Sequence, residues 1–376
     1  MAPLTLVLTL LWTPPPAPVQ AADFQSLSTQ ARSALEGGRS SEAVALYDRA
    51  LALKPDWDEG WWYLGTLHYE AGRGTEGREA FSRFVELKPA SGPGWTLRGV
   101  CASLAGDQEA AIADIEKGLG LGLGGNAELI RAGRHQLALA LLKAGQFERA
   151  VQPLTQLART SPEAPRLLDA IGLLVLRTAA LPSEVPAPRR ELVRAAGQAG
   201  YLHLALRAED AGKAYAALLT AYPAEPWIHY AYGVFLLRSD GERALAELRR
   251  EVELAPDNVM AHLEMAYELI VRGDYPAARP SAERAAELAP GLFAARNAKG
   301  RVLVELGELG PGILELEEAV RLAPGSPEVH FALSRAYAKA GRADDAARER
   351  ATFAELDRER REKRAAERAP QAEARP

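Results

Sequence analysis

Six histidines, one cysteine and one glycine run are the parts of this chain whose residue types could do chemistry. The histidines are His68, His135, His203, His229, His262 and His330, and imidazole can bind metal or carry a proton near neutral pH. They are spread along the chain, and no two of them stand four apart, the spacing that sets two metal donors on one helix face. The single cysteine, Cys101, cannot form an intramolecular disulfide, and its place in the apolar run GVCASLAG predicts a small buried packing residue. The run GLGLGLGG (118–125) has the look of a phosphate-binding loop, but no strand pattern precedes it and no Lys-Ser/Thr follows. There is no HExxH, CxxC, GxSxG or G-x4-G-K-[ST] motif. The acidic residues follow a repeat and read as solvated helix faces. No catalytic residue, metal site or cofactor site is assigned, and the expectation is a protein that is not an enzyme.

The elements behind these residues recur at a fixed interval. Five related phrases, ALALKPDW (50–57), FVELKPAS (84–91), EVELAPDN (251–258), AAELAPGL (285–292) and AVRLAPGS (319–326), put Pro55 and Pro89 34 residues apart, and Pro256, Pro290 and Pro324 at the same interval. That period predicts stacked helix pairs. Trp61 aligns with Trp95, Gly65 with Gly99, and Tyr47 with Phe81 and Ile115; His262, Arg296 and His330 share the register of Trp61. His262 and His330 therefore read as packing residues. The small residues Gly65, Gly99, Ala266 and Gly300 let one helix approach the next, large residues such as Tyr47, Phe81 and Leu316 fill the space between pairs, and each proline ends a second helix. Glycine-centred segments such as EAGRG (70–74) and ELGEL (305–309) predict the turns.

The set Trp61, Leu64, Gly65, His68, Gly77, Phe81, Phe84 and Pro89 resembles the tetratricopeptide repeat, and Met265, Ala266, Leu269, Ala278, Ala282, Ala285 and Pro290 fit nearly as well. The resemblance implies an all-α, right-handed superhelical solenoid of stacked antiparallel helix pairs. About nine repeats are expected, starting near Phe24, Asp58, Gly92, Arg131, Pro165, Pro226, Val259, Phe293 and Pro327. The fifth is irregular: a proline-rich loop (178–188) precedes a helix over about 189–208 and another over 212–222, an insertion of about one helix. The expected organisation is a signal segment (1–22), N-terminal repeats (23–164), the irregular repeat (165–225), C-terminal repeats (226–357) and a charged, partly disordered tail (358–376).

Net charge is −5, from 45 basic and 50 acidic residues that are interspersed, so no basic stripe suits nucleic acid. The apolar run Leu4–Trp12 is too short to span a bilayer, and small residues at Val19 and Ala21 suit signal cleavage before Asp23, although no Lys or Arg precedes the run. The expectation is an exported, periplasmic or secreted protein of bacterial type, without stable membrane insertion; a cytosolic protein with an uncleaved N-terminus is the alternative. High Ala, Arg and Gly usage suits a GC-rich genome.

In the tetratricopeptide family the first helices line a concave groove that holds partner peptides. By register the resemblance implies groove positions at Ser28 and Arg32, Trp62 and Thr66, Thr96 and Val100, Leu263 and Tyr267, Asn297 and Arg301, and Phe331 and Arg335. Trp227 and Tyr230 hold similar places in the sixth repeat. The expected partner-binding residues are Trp62, Thr66, Trp227, Tyr230, Tyr267, Asn297, Arg301, Phe331 and Arg335. Aromatic and arginine side chains are common binding anchors, while the tryptophans could equally pack between repeats. One subgroup of the family grips chaperone C-termini with Lys, Asn and Arg in consecutive repeats; Ser28, Trp62 and Thr96 stand there instead. The trio Asn297, Arg301 and Arg335 could hold an acidic peptide or a terminal carboxylate. The expected function is a non-catalytic protein-interaction scaffold in envelope assembly or secretion. Self-association, and a small-ligand or enzyme-accessory role for the 178–222 insertion, are the other readings.

Overall fold

A computed structural model describes the backbone of residues 18–372 and the side-chain surroundings of 23–365. The apolar run and most of the expected signal segment lie outside the described residues. The described residues form nineteen α-helices and no strand, the all-α class expected. They divide into two compact units, the first ending at Arg207 and the second beginning at Ala208. The boundary falls inside the segment expected to be one irregular repeat, and the two units are described separately.

The first unit contains α1 (Pro18–Glu36), α2 (Ser40–Leu53), α3 (Asp58–Glu70), α4 (Gly74–Leu87), α5 (Gly92–Leu104), α6 (Gln108–Leu121), α7 (Ala127–Lys143), α8 (Phe147–Thr160), α9 (Pro165–Val175) and α10 (Arg190–Leu204). The second contains α11 (Ala208–Ala221), α12 (Ile228–Leu236), α13 (Gly241–Leu254), α14 (Val259–Val271), α15 (Tyr275–Leu288), α16 (Phe293–Glu305), α17 (Leu309–Leu322), α18 (Pro327–Lys339) and α19 (Ala343–Ala372). Most expected repeat starts coincide with first helices. The fourth starts earlier than expected, because the Asn126 side chain accepts the N–H groups of Glu128 (3.0 Å) and Leu129 (3.1 Å) and nucleates α7 ahead of Arg131. The charged tail does not begin a new element at 358, since α19 runs unbroken from Ala343 to Ala372.

The turn after α3 shows how a first helix ends. Gly72 takes φ +71°, its N–H reaches Tyr69 O (2.9 Å), and the Arg73 N–H reaches His68 O (2.9 Å), which closes the helix with a left-handed residue. The same pair of bonds follows α9 and α10, but there Arg177 (φ +47°) and Leu206 (φ +62°) hold the left-handed position. By this signature α9 and α10 both end as first helices do. In repeat five, α10 therefore packs closely on α9 across a long loop while ending as a first helix does. Bare glycines bring α9 and α10 together: a Cβ on Gly172 would lie 1.9 Å from Val193 O, and one on Gly197 would lie 2.0 Å from Leu168 O.

The close approach expected at the small residues is present within the helix pairs. A Cβ on Gly65 would meet the Phe81 ring at 2.9 Å, and one on Gly300 would meet Leu316 Cγ at 2.6 Å. Tyr47, Phe81, Ile115 and Leu316 are fully buried. The glycine run has a packing role: a Cβ on Gly118 would lie 2.2 Å from Thr96 Oγ1, and a Cβ on Gly92 would lie 2.0 Å from Gly122 O. Cys101 is fully buried, and burial pushes its thiol up to about 12, which makes it an inert packing residue.

The register shared by Trp61, His262 and His330 has a polar purpose. Trp61 Nε1 donates to Pro55 O (2.8 Å) and Trp95 Nε1 to Pro89 O (2.9 Å). His262 Nε2 lies 3.0 Å from Pro256 O, Arg296 Nε donates to Pro290 O (3.0 Å), and His330 Nε2 lies 2.9 Å from Pro324 O. His229 Nε2 makes the same contact with Pro223 O at 3.2 Å. In each case a donor six residues after a repeat-ending proline binds that proline's carbonyl. It thereby satisfies a carbonyl of the turn that joins one helix pair to the next.

Candidate functional site

Most expected groove residues of the first unit are used by the fold. The Trp62 ring packs on Phe81 (5.7 Å between ring centres) and Phe84 (5.1 Å) of α4, so it is used inside its own helix pair rather than between neighbouring repeats. Thr66 donates its hydroxyl to Trp62 O at 2.9 Å. Thr96 and Val100 are buried, and Thr96 donates to Gly92 O. Arg32 is exposed and pairs with Glu59 at 2.5 Å, a surface pair worth about 0–1 kcal/mol; Ser28 donates to Gln25 O.

In the second unit Leu263 is buried, and so is Tyr230, at 8% exposure. The expectation of Tyr230 as a partner-facing anchor is therefore corrected: its N–H is held by Glu251 (3.2 Å) and its ring packs in the core. Trp227 is half-buried against the same core and meets Tyr230 edge-on, with 5.5 Å between ring centres.

The remaining residues converge. Asn297, Arg301, Phe331 and Arg335 line one cavity of about 320 Å³, and Tyr267 stands behind it. The geometry follows from the helices: Asn297 and Arg301 are one turn apart on α16, and Phe331 and Arg335 are one turn apart on α18. The Tyr267 hydroxyl donates to Ala294 O (2.9 Å) and accepts from Asn297 Nδ2 (3.1 Å). Burial raises the Tyr267 phenol above its ordinary range, while the Asn297 bond and the nearby Arg301 charge oppose the shift. Arg301 sits 5.9 Å from the centre of the Tyr267 ring, a weak cation–π contact. Arg335 reaches Glu305 at 3.4 Å.

The lining residues that sequence reasoning missed include Phe353 and Arg360 on α19. Phe353 meets Phe331 with 5.2 Å between ring centres, and Arg360 pairs with Glu328 and with Asp357 (2.6 Å). Arg360 belongs to the segment expected to be a charged tail, which thus contributes to the cavity wall, while Phe353 lies at the end of the expected C-terminal repeats. The available signal was Phe353 itself, an aromatic in an otherwise charged stretch.

The first unit has a second cavity of about 320 Å³, lined by Asp169, Ser183, Arg190 and Arg194. Its cations are already engaged, because Arg194 grips Asp169 (2.9 Å and 3.0 Å) and Arg190 Nε donates to Val185 O (3.2 Å). No group of three or more His, Cys, Asp or Glu suited to a metal occurs among the described residues, and no described helix is long and apolar enough to cross a membrane.

Comparison with solved structures finds partial matches. MamA from Desulfovibrio magneticus RS-1, from residue 41 to its end, is 24% identical over 41% of this chain and 89% of its own, with a TM-score of 0.38. Another MamA crystal structure is 19% identical over 46% of this chain and 94% of its own, with a TM-score of 0.41. YrrB, a TPR protein with an unusual peptide-binding site, is 18% identical over 42% of this chain and 82% of its own, with a TM-score of 0.38. No curated protein matches the sequence. The family model of the tetratricopeptide repeat matches residues 28–94, 263–327 and 297–351, so the repeats to which the sequence was likened are found toward both ends of the described residues, and the last of them include the cavity's Asn297, Arg301, Phe331 and Arg335.

Proposed function

We propose that this chain is a non-catalytic scaffold that holds a partner protein or peptide, with the cavity of the second unit as the contact site. One observation carries the reading: four residues that the family resemblance implied as groove positions, Asn297, Arg301, Phe331 and Arg335, come together around one opening. Two rigid helices present them, so little conformational freedom is lost on contact. Export to a bacterial-type envelope and a role in assembly or secretion there belong to the same proposal, supported by the composition of residues 1–22. Sequencing the N-terminus of the native protein tests export. A start at Ala22 or Asp23 supports it, and an intact N-terminus contradicts it.

The test of function is a paired capture. Residues 23–376 and a matched Arg301→Gln, Phe331→Ala chain are crosslinked to an envelope extract of the native cells. A partner held by the first and lost from the second supports the scaffold reading; equal capture by both removes the cavity from it. The small-ligand reading is favoured only by the cavity at Asp169, Ser183, Arg190 and Arg194.

A further inference from the structure

The hydrogen-bond polarity beside Asn297 narrows what the cavity can hold. The Tyr267 hydroxyl has one proton, and Ala294 O takes it at 2.9 Å. The group 3.1 Å away on Asn297 must then be the donor, which fixes that end of the amide as Nδ2. Asn297 Oδ1 is left as a buried acceptor without a hydrogen bond, on a residue that is 4% exposed. A buried acceptor in that state costs on the order of 1–3 kcal/mol, so a ligand N–H that reaches it relieves a standing penalty.

One helical turn away, Arg301 has no carboxylate within ion-pair distance among the described residues and lies over the Tyr267 ring. The acids of the cavity are already paired, Glu305 with Arg335 and Lys339, and Glu328 with Arg360. What remains unpaired is one buried acceptor and one cation, beside a Phe331 ring that is 46% exposed. This differs from a site in which the asparagine would donate to a carboxylate, because the amide nitrogen is already committed to Tyr267.

We propose, resting on the peptide-binding reading above, that the cavity takes a peptide segment by three contacts. A main-chain N–H goes to Asn297 Oδ1, a carboxylate goes to Arg301, and an apolar side chain lies against Phe331. The carboxylate belongs either to a chain end or to an Asp or Glu side chain.

Fluorescence anisotropy of the full chain against labelled octapeptides tests this. Each peptide carries a Leu or Phe near an Asp or Glu, and each is made as a C-terminal acid and as an amide. Arg301→Gln is expected to weaken the bound peptides about tenfold, the loss of one charge-assisted contact. N-methylation of the amide that meets Asn297 is expected to weaken them about fivefold in the wild type, with no further loss in Asn297→Leu. Tyr267→Phe gives an independent reading should Asn297→Leu fold poorly: with its amide freed to turn, it discriminates less between a peptide and its N-methyl counterpart. Acid against amide decides which carboxylate is read. Peptides that bind wild type, Arg301→Gln and Asn297→Leu equally overturn the proposal while leaving peptide binding intact. A library that yields no binder, beside a paired capture that still finds a cavity-dependent partner, also overturns it. Failure of both the library and the capture removes the scaffold reading as well.

Discussion

Glu251 holds Trp227 in its bent conformation. Both carboxylate oxygens accept the Trp227 N–H, at 2.9 and 3.0 Å, and Trp227 has φ +75°, a left-handed backbone that a bulky residue adopts only when its surroundings impose it. The same carboxylate accepts from the Tyr230 N–H (3.2 Å) and Asn258 Nδ2 (2.8 Å), and Glu251 is fully buried. A negative charge at the start of α12 also suits the positive end of the helix dipole.

Glu251→Ala should therefore be among the most damaging changes in the second unit. It strands three buried donors at once, and each stranded group costs on the order of 1–3 kcal/mol. The expected loss is about 3 kcal/mol or more, with Glu251→Gln milder because it keeps an acceptor oxygen. Denaturant unfolding followed by circular dichroism checks this; a change no larger than that of a typical surface substitution would contradict it.

Two glycine-to-alanine changes in the first unit should diverge. In Gly197→Ala the new methyl would sit 2.0 Å from Leu168 O, which forces α9 and α10 apart. Gly120, inside α6, has nothing within 4 Å of its added Cβ. Gly120→Ala should be neutral or stabilise by about 0.5–1 kcal/mol, through helix propensity. Gly197→Ala should lower the melting temperature sharply, and equal melting of the two variants would refute the close approach.

The histidines should pull stability in opposite directions with pH. Burial works against charge on His229, but its bonds to Glu247 (2.7 Å) and Pro223 O, with the Glu247 charge, prevail and hold its pKa above the ordinary value. Its contribution is complete below about pH 6.5, the unfolded value, and fades as pH rises through the higher folded value. Burial and the nearby Arg73 charge lower His68, which is buried and has no partner at Nδ1. That contribution is present above about pH 6.5 and is lost as pH falls. His229→Gln should thus cost most at mildly acidic pH and least at alkaline pH, as read from unfolding midpoints across that range. A cost that is flat or rises with pH would contradict the Glu247 pairing.

Trp61→Phe isolates the proline-carbonyl contact. It keeps most of the ring's packing and removes the 2.8 Å bond to Pro55 O. The expected cost is about 1 kcal/mol from the hydrogen bond, with a further contribution from the smaller ring. An unchanged unfolding midpoint would show that the bond adds nothing.

The 34-residue spacing of prolines made the helix pairs legible, because a proline that ends a helix and a glycine that turns one are local signals. The turns at Arg177 and Leu206 were not legible, since no glycine marks the left-handed position there. Register placed Asn297, Arg301, Phe331 and Arg335 around one opening, but it could not say that Trp62 packs onto Phe81 and Phe84, or that Tyr230 is buried. Those outcomes depend on how the second helix of the same pair packs against the first. Glu251 was visible as an acid where Ala285 and Ala319 stand in later repeats, and its meaning lay in the backbone of Trp227. Phe353 and Arg360 were hidden in a charged stretch that lacks helical periodicity but forms a cavity wall.

Hydrogen exchange of the full chain, with and without the captured partner, tests the central claim most directly. The account predicts slowed exchange concentrated in α16 and α18, the helices that carry Asn297, Arg301, Phe331 and Arg335, and loss of that protection in Arg301→Gln. Protection confined to other helices, with α16 and α18 unchanged, would contradict it.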